Sequence, residues 1–148
     1  MKFTTYSFDQ LSGRQLHAIY QLRVAVFVVE QHCAYQEVDA LDLTARHLLV
    51  TDDAGQLVAY ARLMQEADQQ ARFGRIVVAP NARGKALGRQ LVDHAIQQIR
   101  RQWPNTVQLN IQAQHYLDRF YRSFGFLPAS AVYLEDGIPH QDMVLALS

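Results

Sequence analysis

The stretch between Phe73 and Trp103 restricts the possible folds of this 148-residue chain more than any other segment. It begins with an apolar run, Phe73 to Ala79, which has the length of a strand and stops at Pro80. Beyond a short loop, apolar residues recur at the period of an α-helix and form one stripe: Leu87, Leu91, Val92, Ala95, Ile96 and Ile99. A strand that passes through a loop into an amphipathic helix predicts an α/β protein.

The loop between this strand and this helix, Arg83 to Gly88, suits an anion. N–H groups at the start of a helix have no acceptor within the helix, and they lie at the positive end of its dipole. Gly84 and Gly88 have no β-carbon, so an anion can approach the main chain there. Three basic side chains add positive charge: Arg83, Lys85 and Arg89. The loop lacks the Gly-Lys-Ser/Thr ending of a Walker loop and the third glycine of a dinucleotide-binding loop.

The composition predicts one soluble domain that spans residues 1–148. Apolar residues make up 49% of the chain, and 14 basic residues balance 14 acidic ones, which argues against a nucleic-acid partner. The single cysteine, Cys33, excludes an intrachain disulfide, and Met1 to Tyr6 lacks the apolar part of a secretory signal. No apolar run approaches the ~20 residues that cross a bilayer, so we expect a cytoplasmic protein without a membrane anchor.

Three helices are predicted. Ser12 and Gln15 can form a capping box at the start of the first, which we expect to continue past Phe27. The second is the helix after the anion loop. The third is predicted over His115 to Phe124, with Gly125 as its C′ residue.

The remaining pattern predicts a mixed sheet flanked by these helices. The predicted strands are Phe3 to Phe8, His47 to Thr51, Leu57 to Met64, Phe73 to Ala79, Val107 to Ile111, Ala131 to Leu134 and Met143 to Leu147. A loop is predicted over Glu135 to His140. The connection from Glu30 to Arg46 is long and has no stable period, which is typical of a binding loop.

Two segments resemble the GNAT N-acetyltransferases. Arg83 to Gly88 resembles the family's Arg/Gln-x-x-Gly/Ala-x-Gly pyrophosphate loop, with Ala86 where glycine is commoner; an alanine there permits a tight loop if its φ is negative. Gln112 to Phe126 resembles the signature Asn-x-x-Ala-x-x-x-Tyr-x-x-x-Gly-Phe, with Gln114 and Leu117 in place of asparagine and alanine. The resemblance implies the acyl-CoA N-acyltransferase fold, an α/β fold with a splayed central sheet flanked by helices.

The resemblance also implies that acetyl-CoA is the co-substrate and that no metal takes part. The implied contacts for the coenzyme are Ile76, Val77, Val78, Arg83, Gly84, Lys85, Ala86, Leu87, Gly88, Arg89, Gln114 and Tyr121. The N–H near Val78 is the candidate donor to the developing oxyanion. Tyr121 resembles the tyrosine that protonates the departing thiolate; the alternative is a core residue at helical spacing with Leu117 and Phe124.

The first half of the chain is similar to the ElaA-like subfamily. This similarity lies in Arg23 to Gln31, Tyr35 to Asp42 and Tyr133 to His140, together with His47. We expect acceptor contacts from Arg23, Glu30, Gln31, Tyr35, Glu37, Asp39 and His47. The same arginine and acids resemble acyl-homoserine lactone synthases, in which acids face a cationic substrate, and so favour a positively charged acceptor.

An amine acceptor needs a base or a desolvating pocket, because an ordinary ammonium has a pKa near ~10.4. The candidate bases are Glu30, Glu37, His47 and His140, with Glu30 and His140 foremost. The sequence thus favours an acetyl-CoA-dependent N-acetyltransferase that works by direct attack in a ternary complex, as a monomer or homodimer. Two alternatives remain: a non-catalytic acyl-CoA sensor, and an acyltransferase resembling the acyl-homoserine lactone synthases.

Overall fold

A computed structural model describes residues 1–147. The strands are β1 (Lys2–Ser7), β2 (Arg46–Thr51), β3 (Leu57–Gln65), β4 (Gln70–Val78), β5 (Gln108–Gln114), β6 (Leu127–Pro128), β7 (Tyr133–Glu135) and β8 (Ile138–Ala146). The α-helices are α1 (Gly13–Arg23), α2 (Leu87–Gln102) and α3 (Asp118–Arg122). A π-helical segment, Val24–Glu30, continues α1. The predicted α/β fold class is confirmed.

One mixed sheet runs through the molecule in the order β1-β2-β3-β4-β5-β8-β6, and β7 pairs with the start of β8. Only β4 and β5 are parallel; the other neighbours are antiparallel. Side chains alternate between the two faces of a strand, so β2 contributes Leu48 and Val50 to one core and Leu49 to the other. Helix α2 covers the first face and α1 covers the second.

The sheet opens between β4 and β5. These strands pair only where Gln70–Arg72 meets Gln108–Asn110. Just beyond, β4 has one residue more than β3: Tyr60 is opposite Val77 and Arg62 is opposite Gly74. This bulge includes Arg75, whose φ is +49°. Because a bulged strand bends, β4 diverges from β5 and leaves a gap that opens toward Val78.

The predicted helices are present, with local differences. The first continues past Phe27 as expected, but in π-helical form over Val24–Glu30. The third begins as a 3₁₀ turn, His115–Leu117, before α3. Gly125, at φ +101°, donates to Arg122 O, and Phe126 donates to Tyr121 O. This pair of bonds is a Schellman motif, so the predicted C′ glycine is confirmed.

The prediction of a loop over Glu135 to His140 is wrong. Asp136 and Gly137 alone form the turn, with φ of +50° and +76°. Both positive values match a type I′ turn, which joins two strands directly, so β8 starts at Ile138. This places His140 within a strand. No helix among residues 1–147 is long and apolar enough to span a membrane.

Candidate active site

A cavity of about 1070 Å³ follows the gap between β4 and β5. Most of the residues proposed from the sequence line it: Glu30, Gln31, Tyr35, Asp39, Ile76, Val77, Val78, Arg83, Gly84, Ala86, Leu87, Gly88, Arg89, Gln114, Tyr121 and His140. Four do not. Lys85 belongs to the loop but is exposed and does not line the cavity. Arg23, Glu37 and His47 are buried behind the cavity wall.

The start of α2 presents main-chain N–H groups to this cavity. The N-cap residue, Ala86, provides no side-chain hydrogen bond, and Gln90 is the first residue to donate to its carbonyl, at 3.2 Å. The N–H groups of the first helical turn therefore lack intrahelical acceptors. A β-carbon built on Gly88 would meet no atom within 4 Å, so the space beside this turn is open. The geometry fits a phosphate group at the helix start.

Ala86 does not have the negative φ under which an alanine fits this loop without strain. Its φ is +58°, in the left-handed region that favours glycine. The chain enters α2 through this residue in place of the extended conformation that N-caps usually adopt. A side chain in that region costs about 1–2 kcal/mol, so Ala86 holds the loop in a strained conformation.

Strand β4 offers main-chain groups along the gap. Ala79 N–H donates to Val58 O on β3 at 2.8 Å. Successive residues of a strand direct their N–H and C=O groups to alternate sides, so those of Val78 point away from β3 and into the gap. A hydrogen bond from Arg83 supports this direction, because its Nε donates to Val78 O at 3.2 Å.

Arg83 also holds the carboxylate of Glu30. Its Nη1 and Nη2 donate to the two Glu30 oxygens at 2.8 and 3.1 Å. Both side chains are exposed, at 44% and 43%. The hydrogen bond from Arg83 lowers the pKa of Glu30 below its usual value, so the paired carboxylate is a poor proton acceptor.

Tyr121 is buried in an aromatic cluster at the cavity wall. Its ring lies 5.1 to 6.4 Å from the rings of Phe120, Phe126 and Phe73. Burial, followed by the charge of Tyr116, raises the pKa of Tyr121 above its usual value. The phenol is therefore protonated at neutral pH and can donate a hydrogen bond to a group that gains negative charge.

His140 also lines the cavity, beside Gln114. These two residues are cross-strand partners on β8 and β5, and His140 stacks on Tyr133 of β7. His140 Nδ1 lies 2.7 Å from Ile138 O, and because a carbonyl can only accept, Nδ1 carries the hydrogen. In the neutral ring, Nε2 then has a free lone pair. Gln114 Nε2 also donates to Gln31 Oε1 at 3.4 Å.

Three arginines and three carboxylates form a network in and behind the cavity wall. Arg23 binds Glu37 and Asp42, at 3.2 and 2.8 Å. Arg62 binds Asp39 and Asp42, at 2.7 and 3.2 Å. The third arginine, Arg75, lies 2.7 Å from Glu37. The three positive and three negative charges cancel, so these acids are not available to attract a cationic acceptor.

His47 belongs to this buried layer. Its Nδ1 lies 2.6 Å from Tyr60 Oη, and its Nε2 lies 2.9 Å from Asp42 O. The carbonyl can only accept, so Nε2 carries the hydrogen and Nδ1 accepts from Tyr60. Burial lowers the pKa of His47, which keeps the ring neutral. The structure does not bring His47, Glu37 or Arg23 to the cavity.

Other cavity residues had not been proposed from the sequence. They include polar groups on the strands and the β7–β8 turn, namely Arg62, Arg72, Arg75, Gln112 and Asp136. Arg62 could have been recognised from the sequence, because a charged residue inside the apolar run of β3 requires a buried partner. Cys33 also lines the cavity, and its thiol donates to Asp136 O at 3.4 Å.

The fold agrees with those of known proteins. A crystal structure of an acyl-CoA N-acyltransferase from Pseudomonas aeruginosa has a TM-score of 0.90 and 42% identity, and the match covers 97% of this chain and 99% of the other. The crystal structure of Escherichia coli ElaA has a TM-score of 0.91 and 40% identity, with the same coverage. The molecule therefore has the acyl-CoA N-acyltransferase fold.

The sequence comparisons identify the family. The pattern described as "Acetyltransferase (GNAT) domain" matches residues 10–147. Protein ElaA of Escherichia coli is 44% identical over 139 residues, which cover 91% of this chain and 90% of that protein. A UPF0039 protein of Schizosaccharomyces pombe is 44% identical over 147 residues, or 99% of this chain and 98% of the other. This chain belongs to the GNAT acetyltransferase family, among its ElaA-like members.

Proposed function

We propose that the protein transfers an acetyl group from acetyl-CoA to a primary amine by direct attack in a ternary complex. The observation that carries the proposal is that one cavity joins three features. These are the open helix start at Gly88, the main-chain groups of Val78 in the sheet gap, and the buried phenol of Tyr121. Together they suit a diphosphate, a thioester carbonyl and a departing sulfur.

The binding step uses main-chain groups. The diphosphate fits the N–H groups at the start of α2, and the pantetheine arm fits the edge of β4, where it would bond as an added strand does. The N–H of Val78 points into the gap and is our candidate donor to the oxyanion that forms when the amine attacks. A donor of this kind contributes about 3 kcal/mol to transition-state stabilisation.

The chemical step moves two protons. The amine nitrogen bonds to the thioester carbon and loses a proton, for which we propose His140 Nε2 as the acceptor, directly or through water. The carbon–sulfur bond then breaks, and the thiolate takes a proton from the Tyr121 phenol. The raised pKa of the phenol disfavours a free tyrosinate, so Tyr121 donates a hydrogen bond to the sulfur as charge develops on it, passes on its proton as the carbon–sulfur bond breaks, and regains a proton from water.

The acceptor is proposed only as an amine. The acids that favoured a cationic acceptor are neutralised by Arg23, Arg62 and Arg75, so they no longer support that choice. We place the acceptor between Glu30, Gln31 and His140, which all line the cavity.

The test is release of free coenzyme A from acetyl-CoA with a panel of polyamines, amino acids, aminoglycosides and peptides. We expect Tyr121→Phe to lower turnover ten-fold or more, with little change in affinity for coenzyme A. Tyr116→Phe is the matched control, because Tyr116 also lines the cavity but is 76% exposed. Equal activity in Tyr121→Phe would remove this residue from the mechanism. Coenzyme A binding without turnover of any amine would favour the non-catalytic sensor.

A further inference from the structure

We propose that Arg83 exchanges ligands when acyl-CoA binds: it leaves the Glu30 carboxylate for the diphosphate, and the released Glu30 becomes the anionic partner of the acceptor amine. This inference rests on the proposed function, since it assigns an order to the two substrates. Acyl-CoA binds first, and its binding completes the acceptor site.

The geometry shows that Glu30 and Val78 O together occupy three of the five N–H groups of Arg83, including one on each Nη. Its Nη1 and Nη2 are bonded to Glu30, and its Nε is bonded to Val78 O. Arg83 nevertheless opens the loop that leads to the start of α2, and both Arg83 and Glu30 line the cavity. Because Glu30 holds the guanidinium through both Nη atoms and neutralises its charge, a diphosphate at the helix start would compete with Glu30 for Arg83.

The exposure of this ion pair makes the exchange inexpensive. The Arg83 and Glu30 side chains are 44% and 43% exposed, whereas those of Arg23 and Asp42 are 0% and 2% exposed. Exposed pairs contribute at most about five-fold to an equilibrium constant. A diphosphate carries more negative charge than one carboxylate and also gains the N–H groups of the helix start, so it should displace Glu30.

The exchange changes what Glu30 can do. Glu30 is the last residue of the π-helical segment. It lines the cavity together with Phe27 and Gln31. While it is paired, Arg83 neutralises its charge and lowers its pKa. Once Arg83 turns to the diphosphate, the carboxylate is free to bind an ammonium group and to accept a proton more readily.

The experiment is calorimetric titration of coenzyme A, and separately of pantetheine, into the full-length protein and its variants. For Glu30→Gln, which frees Arg83, we expect coenzyme A to bind about 2- to 5-fold more tightly. Pantetheine lacks the diphosphate and should bind equally to both proteins. Asp53→Asn is the control for charge, because it makes the same change at an exposed turn outside the cavity.

A double-mutant cycle separates exchange from simple repulsion between Glu30 and the diphosphate. In an Arg83→Gln background, Glu30→Gln should no longer tighten coenzyme A binding. If the gain persists there, or if Glu30→Gln alone leaves affinity unchanged or weaker, the exchange is refuted. If the unaltered protein binds no coenzyme A, the proposed function itself fails, so the two failures are distinguishable.

Discussion

Replacing Arg23 by methionine should destabilise the protein more than any single change at its surface ion pairs. The Arg23 side chain is fully buried and donates to Glu37, to both oxygens of Asp42 and to Glu37 O. Its guanidinium also lies 5.6 Å from the ring centres of Tyr20 and Tyr60. Methionine fills most of the same space, so the main loss is electrostatic.

The size of this destabilisation follows from the charges that remain in the network when Arg23 is removed. Without Arg23, three buried or half-buried carboxylates face only Arg62 and Arg75, which leaves one negative charge uncompensated. Removing one partner of a buried ion pair costs about 3–5 kcal/mol. A domain of this size has a total stability of about 5–15 kcal/mol, so the loss is a large fraction of the whole.

Urea unfolding at pH 7 measures the loss as a change in the free energy of unfolding. Arg122→Met is the matched control: Arg122 binds Asp118 at 2.7 Å, but its side chain is 47% exposed, and we expect a cost of at most about 1 kcal/mol. If both variants lose the same small amount, the network does not stabilise the fold as described. The deficit of Arg23→Met should also shrink in acid, because Asp42 has a lowered pKa in the native protein and would protonate more readily without Arg23.

Four further predictions test the other sites. Ala86→Gly should raise the free energy of unfolding by up to about 1 kcal/mol, because φ is +58°; a loss in urea unfolding would contradict the strain. Burial lowers the pKa of His47, so as the pH falls the unfolded chain binds a proton at this histidine before the native protein does. The free energy of unfolding should therefore fall as the pH drops below ~6.5, and His47→Gln should weaken this pH dependence between pH 7 and pH 5.5. Gly88→Glu should abolish coenzyme A binding in calorimetry without loss of fold, since a side chain at this position points into open space. Retained affinity would show that the diphosphate does not bind at the start of α2. His140→Gln should lower turnover at least ten-fold in the coenzyme A release assay with unchanged coenzyme A affinity, and full activity would exclude it as the base.

Features fixed by neighbouring residues were predictable from the sequence. The capping box at Ser12 is present, with reciprocal bonds to Gln15 of 2.8 and 3.1 Å. The apolar stripe of α2 is buried as its period predicts, and Gly125 ends α3. Each of these depends on contacts within one or two helical turns, which a periodic pattern records directly.

Features that depend on strand register were not predictable in the same way. The acids at Glu37 and Asp39 suggested an acceptor site, but their partners Arg62 and Arg75 come from β3 and β4, far along the chain. No local pattern states which arginine meets which acid. The left-handed Ala86 was missed for another reason: alanine has no preference for that region, and the surrounding loop imposes it.

The extra residue in β4 limits what alanine substitution along this strand can reveal about the gap. The parting of the sheet depends on chain length, since Arg75 and Ile76 together stand opposite Ala61. Alanine substitution along β4 would preserve that count and so leave the opening intact. We expect that shortening the strand by one residue would restore regular pairing with β3 and narrow the gap beside β5, so the opening depends on a number of residues and not on a side chain.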